Sequence, residues 1–169
     1  MIVHLILAAL LAGIAAYTDI KVMKIYNKHL AVFFALGLLL MTLQRRYDLL
    51  VSAGLVLALY LFLYYGGRTM SNIAVSLGLM PLPSGARPMA GGDLKLAVTL
   101  ALLLGHYPVL YGTMAGVLLL VAWQGVKRWR FTGSPRAIAD VALGRVHAPA
   151  AFGPWLGFGT LAAALILMV

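Results

Sequence analysis

Six apolar runs divide this 169-residue chain, at roughly 2–18, 28–43, 49–66, 93–105, 108–125 and 151–169, with charged or Gly/Pro-rich connectors between them. In hydrocarbon a backbone N–H or C=O has no water to bond to. Isolated segments of this length must therefore satisfy themselves as helices. The composition agrees: 63% of residues are hydrophobic, 10% are charged, and mean hydropathy is +0.99, well outside the soluble globular range. The expected fold is all-α, a polytopic six-transmembrane-helix bundle forming a single membrane-embedded domain over residues 1–169. No Lys or Arg precedes the run Ile2–Ala16. That run lacks the positive segment of a secretory signal and is read as a retained first span. Met70–Leu82 is apolar but short and meets Pro81 and Pro83, which suits an interfacial or re-entrant segment better than a span.

The cations orient the bundle. Lys21, Lys24 and Lys28 follow the first run, and Arg68, Arg87 and Lys95 lie around the connector before the fourth. Lys127, Arg128, Arg130, Arg136 and Arg145 fill the connector before the last. Eleven of the 13 cations thus fall on one side, against Arg45 and Arg46 on the other. The positive-inside rule puts the crowded side in the cytoplasm and both termini outside. A net charge of +9 confined to connectors reflects topology and does not imply a nucleic-acid partner. Within the connector Val126–Ala150, Lys127-Arg128-Trp129-Arg130-Phe131 alternates cations with aromatics, a pattern suited to anionic membrane lipids. Ser134-Pro135 reads as an N-cap and first helical position, opening a short surface helix with Ile138, Val141 and Ala142 on one face.

Four acidic residues, all Asp, remain to be placed. Asp48 beside Arg45 and Arg46, and Asp140 on the surface helix, read as solvated charges. Asp19 closes the first run and Asp93 opens the fourth, both at the cytoplasmic end. A carboxylate beside hydrocarbon is costly unless paired, hydrated or protonated, and usually marks function. From Asp93 to Gly105 is about 18 Å of helix at ~1.5 Å per residue, against a ~30 Å hydrocarbon core. If Gly105-His106-Tyr107 marks the outer boundary, Asp93 lies about a third of the way into the membrane, deeper than Asp19. Two carboxylates brought close cannot both ionise cheaply, so one keeps a proton while the other acts as base, the arrangement that activates water in aspartic proteases. Gly91 and Gly92 would give the backbone before Asp93 conformations closed to other residues and room for a substrate strand. The chain has no Cys or Glu and only four His. Thiolate zinc sites and cysteine nucleophiles are excluded, and no metal or other cofactor is expected. His4, His29, His106 and His147 read as interfacial.

These segments resemble a known family. Ala90-Gly91-Gly92-Asp93-Leu94-Lys95 is similar to the Gly-x-Gly-Asp element of intramembrane aspartyl proteases, in particular the type IV prepilin and preflagellin peptidases. Asp19-Ile20-Lys21-Val22-Met23-Lys24-Ile25-Tyr26-Asn27 resembles that family's Asp, basic loop and Ile-Pro-Asn. Ala151-Phe152-Gly153-Pro154-Trp155-Leu156-Gly157 is similar to the Pro-Phe-Gly-Pro-Phe-Leu stretch opening its last helix. Ala90, Tyr26 and Ala151 depart from the pattern, where the family has Gly, Pro and Pro. The resemblance implies a prepilin peptidase of the short branch associated with tight-adherence or Flp-type pili, without the Cys-containing N-methyltransferase region. It implies catalysis by Asp19 and Asp93, with Gly91 and Gly92 positioning the substrate backbone. Lys95 would pair with an Asp or, preferably, snorkel to the interface. Asn27 would hydrogen-bond near the site or cap the second helix, and Gly153 and Pro154 would shape the packing of the last helix. The implied partner is a prepilin or pseudopilin with a basic leader and a hydrophobic helix, cut at the cytoplasmic face of the bacterial inner membrane in preference to an archaeal plasma membrane.

Two other classes fit the same carboxylates: a small ion- or proton-coupled transporter, and a non-catalytic pilus-assembly scaffold. A transporter needs further polar groups along its path, for which Ser52 and Thr113 are the chief interior candidates in the third and fifth runs. Single cysteines at 90–96 should react more slowly with a water-soluble maleimide than cysteines at 127–136. Equal labelling of the two sets would place Asp93 outside the membrane.

Overall fold

The computed structural model describes residues 2–22, 24–76, 91–134, 136 and 152–168. Helices appear in the expected order: α1 (Ile2–Val22), α2 (Asn27–Gln44), α3 (Asp48–Ser76), α4 (Gly91–Leu104), α5 (His106–Thr132) and α6 (Gly153–Met168). By length and apolarity α1, α2, α3 and α5 can cross a membrane. At ~1.5 Å per residue, α4 and α6 reach only ~21 and ~24 Å, short of a ~30 Å hydrocarbon core. Large apolar side chains face outward around the bundle, among them Leu39, Phe62, Leu118 and Ile166. Water would not permit that surface, but lipid does.

Two boundaries differ from the sequence reading. Helix α5 continues through Thr132, so Lys127-Arg128-Trp129-Arg130-Phe131 forms its last turns and not a connector. Gly133 then ends it at φ +68°, its N–H returning to the Trp129 carbonyl at 2.8 Å, the left-handed cap that glycine adopts without a Cβ penalty. The expected segment Met70–Leu82 is, as far as Ser76, the end of α3. Leu and Met are good helix formers, and no proline occurs before Pro81 to stop the helix. The rest of that segment, and the surface helix expected after Ser134-Pro135 with Asp140 and His147, lie outside the described residues.

Hydrogen bonds between helices fix one end of the bundle. Buried His4, expected at an interface, bonds through Nδ1 to the Leu103 carbonyl (3.0 Å) and through Nε2 to Gln44 (3.1 Å), tying α1 to α4 and α2. Ser52 Oγ on α3 meets His106 Nδ1 on α5 at 2.9 Å. Arg46 and Asp48 form an exposed 2.9 Å ion pair in the α2–α3 turn, as expected of solvated charges. A cavity of about 490 Å³ at this end is lined by His4 of α1, Leu103 of α4, Tyr107 of α5 and Leu167 of α6. The start of the first helix and the end of the last therefore share one end of the bundle with the α2–α3 and α4–α5 connectors, and the α1–α2 connector lies at the other.

Backbone proximity holds the other side. A Cβ on Gly112 would sit 2.3 Å from the Thr160 nitrogen, and one on Gly116 would sit 2.8 Å from the Trp155 carbonyl oxygen. The Gly112-x-x-x-Gly116 face of α5 thus lies directly on α6, running antiparallel. Gly157 brings α6 equally close to Ala12 of α1, where an added Cβ would stand 2.9 Å from the alanine Cβ. Lipid offers no hydrophobic gain for helix association, so close backbone packing supplies it. Gly112→Ala should therefore destabilise the bundle by about 1–3 kcal/mol through overpacking. Gly54→Ala, with nothing within 4 Å of its Cβ, should be neutral or slightly stabilising, and thermal unfolding in detergent distinguishes the two.

Candidate functional site

Asp19 and Asp93 are both buried, with 7% and 6% of their surface exposed. Helices α1 and α4 run antiparallel from the His4–Leu103 bond at the far end. From that contact, Asp19 lies ~22 Å along α1 and Asp93 ~15 Å along α4 at ~1.5 Å per residue, so Asp93 starts from the deeper level. Helical side chains lean toward their own N-terminus. In antiparallel helices that leans Asp19 back into the bundle and Asp93 outward along it, so the offset between the carboxyl groups narrows.

Asp19 occupies the last turn of α1, the negative end of that helix dipole and a poor place for an anion. The N-terminus of α6 answers this. The Gly153 N–H donates to Asp19 Oδ2 at 2.9 Å in a buried bond. The first internal bond of α6 runs from the Leu156 N–H to the Phe152 carbonyl. Gly153 therefore has an N–H without an intrahelical acceptor, and Pro154 has none to leave unpaired. A Cβ at Gly153 would meet Asp19 Oδ2 at 2.9 Å and Ile25 Cδ1 at 3.1 Å, so glycine is required by space. The sequence reading gave Gly153 and Pro154 a packing role; the structure adds the hydrogen bond.

Asp93 is in the first turn of α4, at the favourable end of its own helix dipole. Gly91 and Gly92 form that same turn without positive φ, a correction to the conformational freedom expected of them. Around Gly91 an added Cβ would find open space, whereas at Gly92 it would stand 3.2 Å from Ile25 Cβ. Ile25, in the α1–α2 connector, thus contacts both glycine positions and links the surroundings of the two carboxylates. Tyr26 takes φ −76° and ψ 127° ahead of α2, close to the φ that proline would impose.

The Lys95 ammonium donates to Asn27 Oδ1 at 2.8 Å, joining α4 to the start of α2. Asn27 is thereby a hydrogen-bonding partner near the site and not the cap of α2, which begins without a side-chain cap bond. Tyr60, which sequence reasoning passed over, is fully buried on α3 and lies within electrostatic reach of Asp93. Its hydroxyl bonds to Thr113 on α5, which donates on to the Val109 carbonyl at 2.6 Å. A lone tyrosine in an apolar run carries no signal that marks such a position. Ser52 and Thr113, the polar groups a conduction path would have needed, are both engaged between helices. Among the described residues no three His, Cys, Asp or Glu side chains gather as metal ligands.

The family model described as type IV leader peptidase family matches residues 5–125, which include Asp19, Asn27, Asp93 and Lys95. No curated protein and no solved structure matches the chain. Gly153→Ala should displace Asp19 and lower stability by about 1–3 kcal/mol, as expected for a lost buried hydrogen bond and overpacking. Gly91→Ala, unopposed in space, should leave the melting temperature in detergent unchanged.

Proposed function

The chain belongs to the type IV leader peptidase family, and on that premise we propose that it is an aspartic endopeptidase in which Asp19 and Asp93 form the catalytic dyad. Its substrates are prepilin- or pseudopilin-like proteins, from which it removes a short basic leader at the cytoplasmic face of the membrane. The observation that carries this reading is the burial of two carboxylates at one end of the bundle, each at the N-terminus of a short helix: Asp93 within α4 and Asp19 against α6.

The pair shares one proton, since two carboxylates in a low-dielectric pocket do not both ionise. The ionised member takes a proton from water as the oxygen attacks the scissile carbonyl carbon. The protonated member gives its proton to the carbonyl oxygen. Collapse of the tetrahedral diol breaks the C–N bond as the proton first taken from water passes to the departing amine, and a diol hydroxyl returns its proton to the other carboxylate, which leaves a carboxylic acid and restores the pair. Gly153 holds Asp19 in place during these transfers. Gly92, packed on Ile25, sets the entry of α4 and hence the placement of Asp93.

Among the described cations, Lys21, Lys24, Lys28, Lys95, Lys127, Arg128 and Arg130 belong to helix ends and a connector at the carboxylate end, and Arg45 and Arg46 to the opposite turn. This supports a cytoplasmic site and a multi-pass protein of the bacterial inner membrane. It also suits contact with anionic lipids.

Asp19→Asn and Asp93→Asn should each lower leader cleavage at least about a thousandfold, within the range for losing an acid–base group. The measurement is co-expression with a prepilin-like protein at equal enzyme levels. Undiminished processing by either variant would overturn the dyad.

A further inference from the structure

The proton transfers use neither the Asn27–Lys95 hydrogen bond nor the isoleucine beside Gly92. At 3.6 residues per turn, Lys95 stands about 200° around α4 from Asp93. Gly92 and Lys95, three apart, are instead neighbours on one face of the helix, and the α1–α2 connector lies across that face. Asn27 accepts from Lys95 at 2.8 Å. Two residues earlier, Ile25 stands over Gly92, its Cβ 3.2 Å from the position a Cβ would take there. Lys24 and Tyr26 are exposed, while Ile25 is half-buried against the core. The Tyr26 carbonyl accepts from the His29 and Leu30 amides at 3.2 and 3.4 Å, so α2 begins directly behind Ile25 and leaves the connector little slack. Ile25 also reaches a second helix. Its Cδ1 lies 3.7 Å from the Cβ position of residue 92 and 3.1 Å from that of residue 153, and Asp19 Oδ2 lies 2.9 Å from the latter. One methyl group thus stands between the first turn of α4 and the first turn of α6.

We propose that Ile25 is a positioning residue, a wedge between the starts of α4 and α6 that sets the separation of Asp93 from Asp19, and that the Asn27–Lys95 bond keeps it seated. The proposal rests on the leader-peptidase reading and gives Ile25, Asn27 and Lys95 a part in it. A shared proton and an attacking water require one spacing of the two carboxyl groups, and a displacement of about 1 Å can cost about a hundredfold in rate. Asp93 moves with Gly92, its neighbour in α4, and Asp19 moves with Gly153, its donor in α6. Ile25 meets both glycines, so its size fixes how near the two helix starts come. A β-branched side chain is stiff at χ1, which suits a spacer. In a lipid-facing bundle the apolar contact alone does not hold the connector down, and the Lys95 ammonium supplies the tie.

The experiment measures cleavage, by the full chain in detergent, of a synthetic peptide with a basic leader, a glycine at the cleavage point and an apolar helix. Ile25→Ala should lower kcat at least about tenfold and change KM less than about twofold. Ile25→Val keeps the branch over Gly92 and loses Cδ1, and its kcat should fall between those of Ile25→Ala and the wild type. Leu38→Ala trims a side chain packed on the same core in the second half of α2 and should leave kcat unchanged. Lys95→Met should lower kcat about threefold or more, and should lower it no further in an Ile25→Ala background, since both act through one wedge. Unchanged kcat in Ile25→Ala at equal folded protein, an equal loss in Leu38→Ala, or losses that multiply in the double variant would each sink the wedge. A wild-type chain that cleaves nothing would instead overturn the peptidase reading. The wedge is then read from folding. The part of the pH dependence of the melting temperature that Asp19→Asn removes should move along the pH axis in Ile25→Ala and stay in place in Leu38→Ala, and an unmoved profile in Ile25→Ala rejects the wedge by itself.

Discussion

A buried carboxylate at the wrong end of its own helix must find a donor elsewhere, and in this protein the Gly153 amide provides it. The 2.9 Å bond to Asp19 ties the last turn of α1 to the first turn of α6. The arrangement of the site follows from it. The N-terminus of α6 must come to Asp19, α6 must be short enough to begin there, and no side chain can stand at position 153. Helix α4 obeys the same geometry, beginning two residues before Asp93. Two short helices therefore start from the carboxylate end and run to the far end, presenting positive dipole ends where negative charge is held.

What keeps α6 in that position is backbone packing. Lipid tails solvate leucine as well as a protein core does, so apolar burial alone does not pull membrane helices together. Gly112 and Gly116 let α5 lie directly on α6, Gly157 lets α6 lie on α1, and Gly37 lets α2 approach Leu102 of α4. The polar ties, His4 to Leu103 and Gln44, and Ser52 to His106, are gathered at the end away from the carboxylates. The far end of the bundle is thus pinned by hydrogen bonds, while glycine contacts hold α1, α5 and α6 together along their length.

Much of this was legible in the chain. The six apolar runs became the described helices in order, because in hydrocarbon a backbone has few alternatives to helix. The scarcity of acid singled out Asp19 and Asp93, and both are buried. Boundaries fared worse. The cationic and aromatic residues 127–131 looked like a connector because polarity marks the edge of a membrane, but it does not end a helix, and α5 runs on to Gly133. Gly91 and Gly92 looked like sites of unusual backbone; they are helical, and Gly92 is small because Ile25 is close.

The sequence by itself determined that this protein is helical, membrane-embedded and supplied with two carboxylates at helix ends, since hydropathy, charge placement and burial cost are local properties of the chain. Tertiary structure alone decided that Gly153 is the partner of Asp19, 134 residues away, that Lys95 bonds Asn27 and that Tyr60 bonds Thr113. It also decided that α2 and α3 each pack on α4. These depend on how closely backbones approach, which is set by glycine contacts across helices and leaves no periodic trace in the sequence.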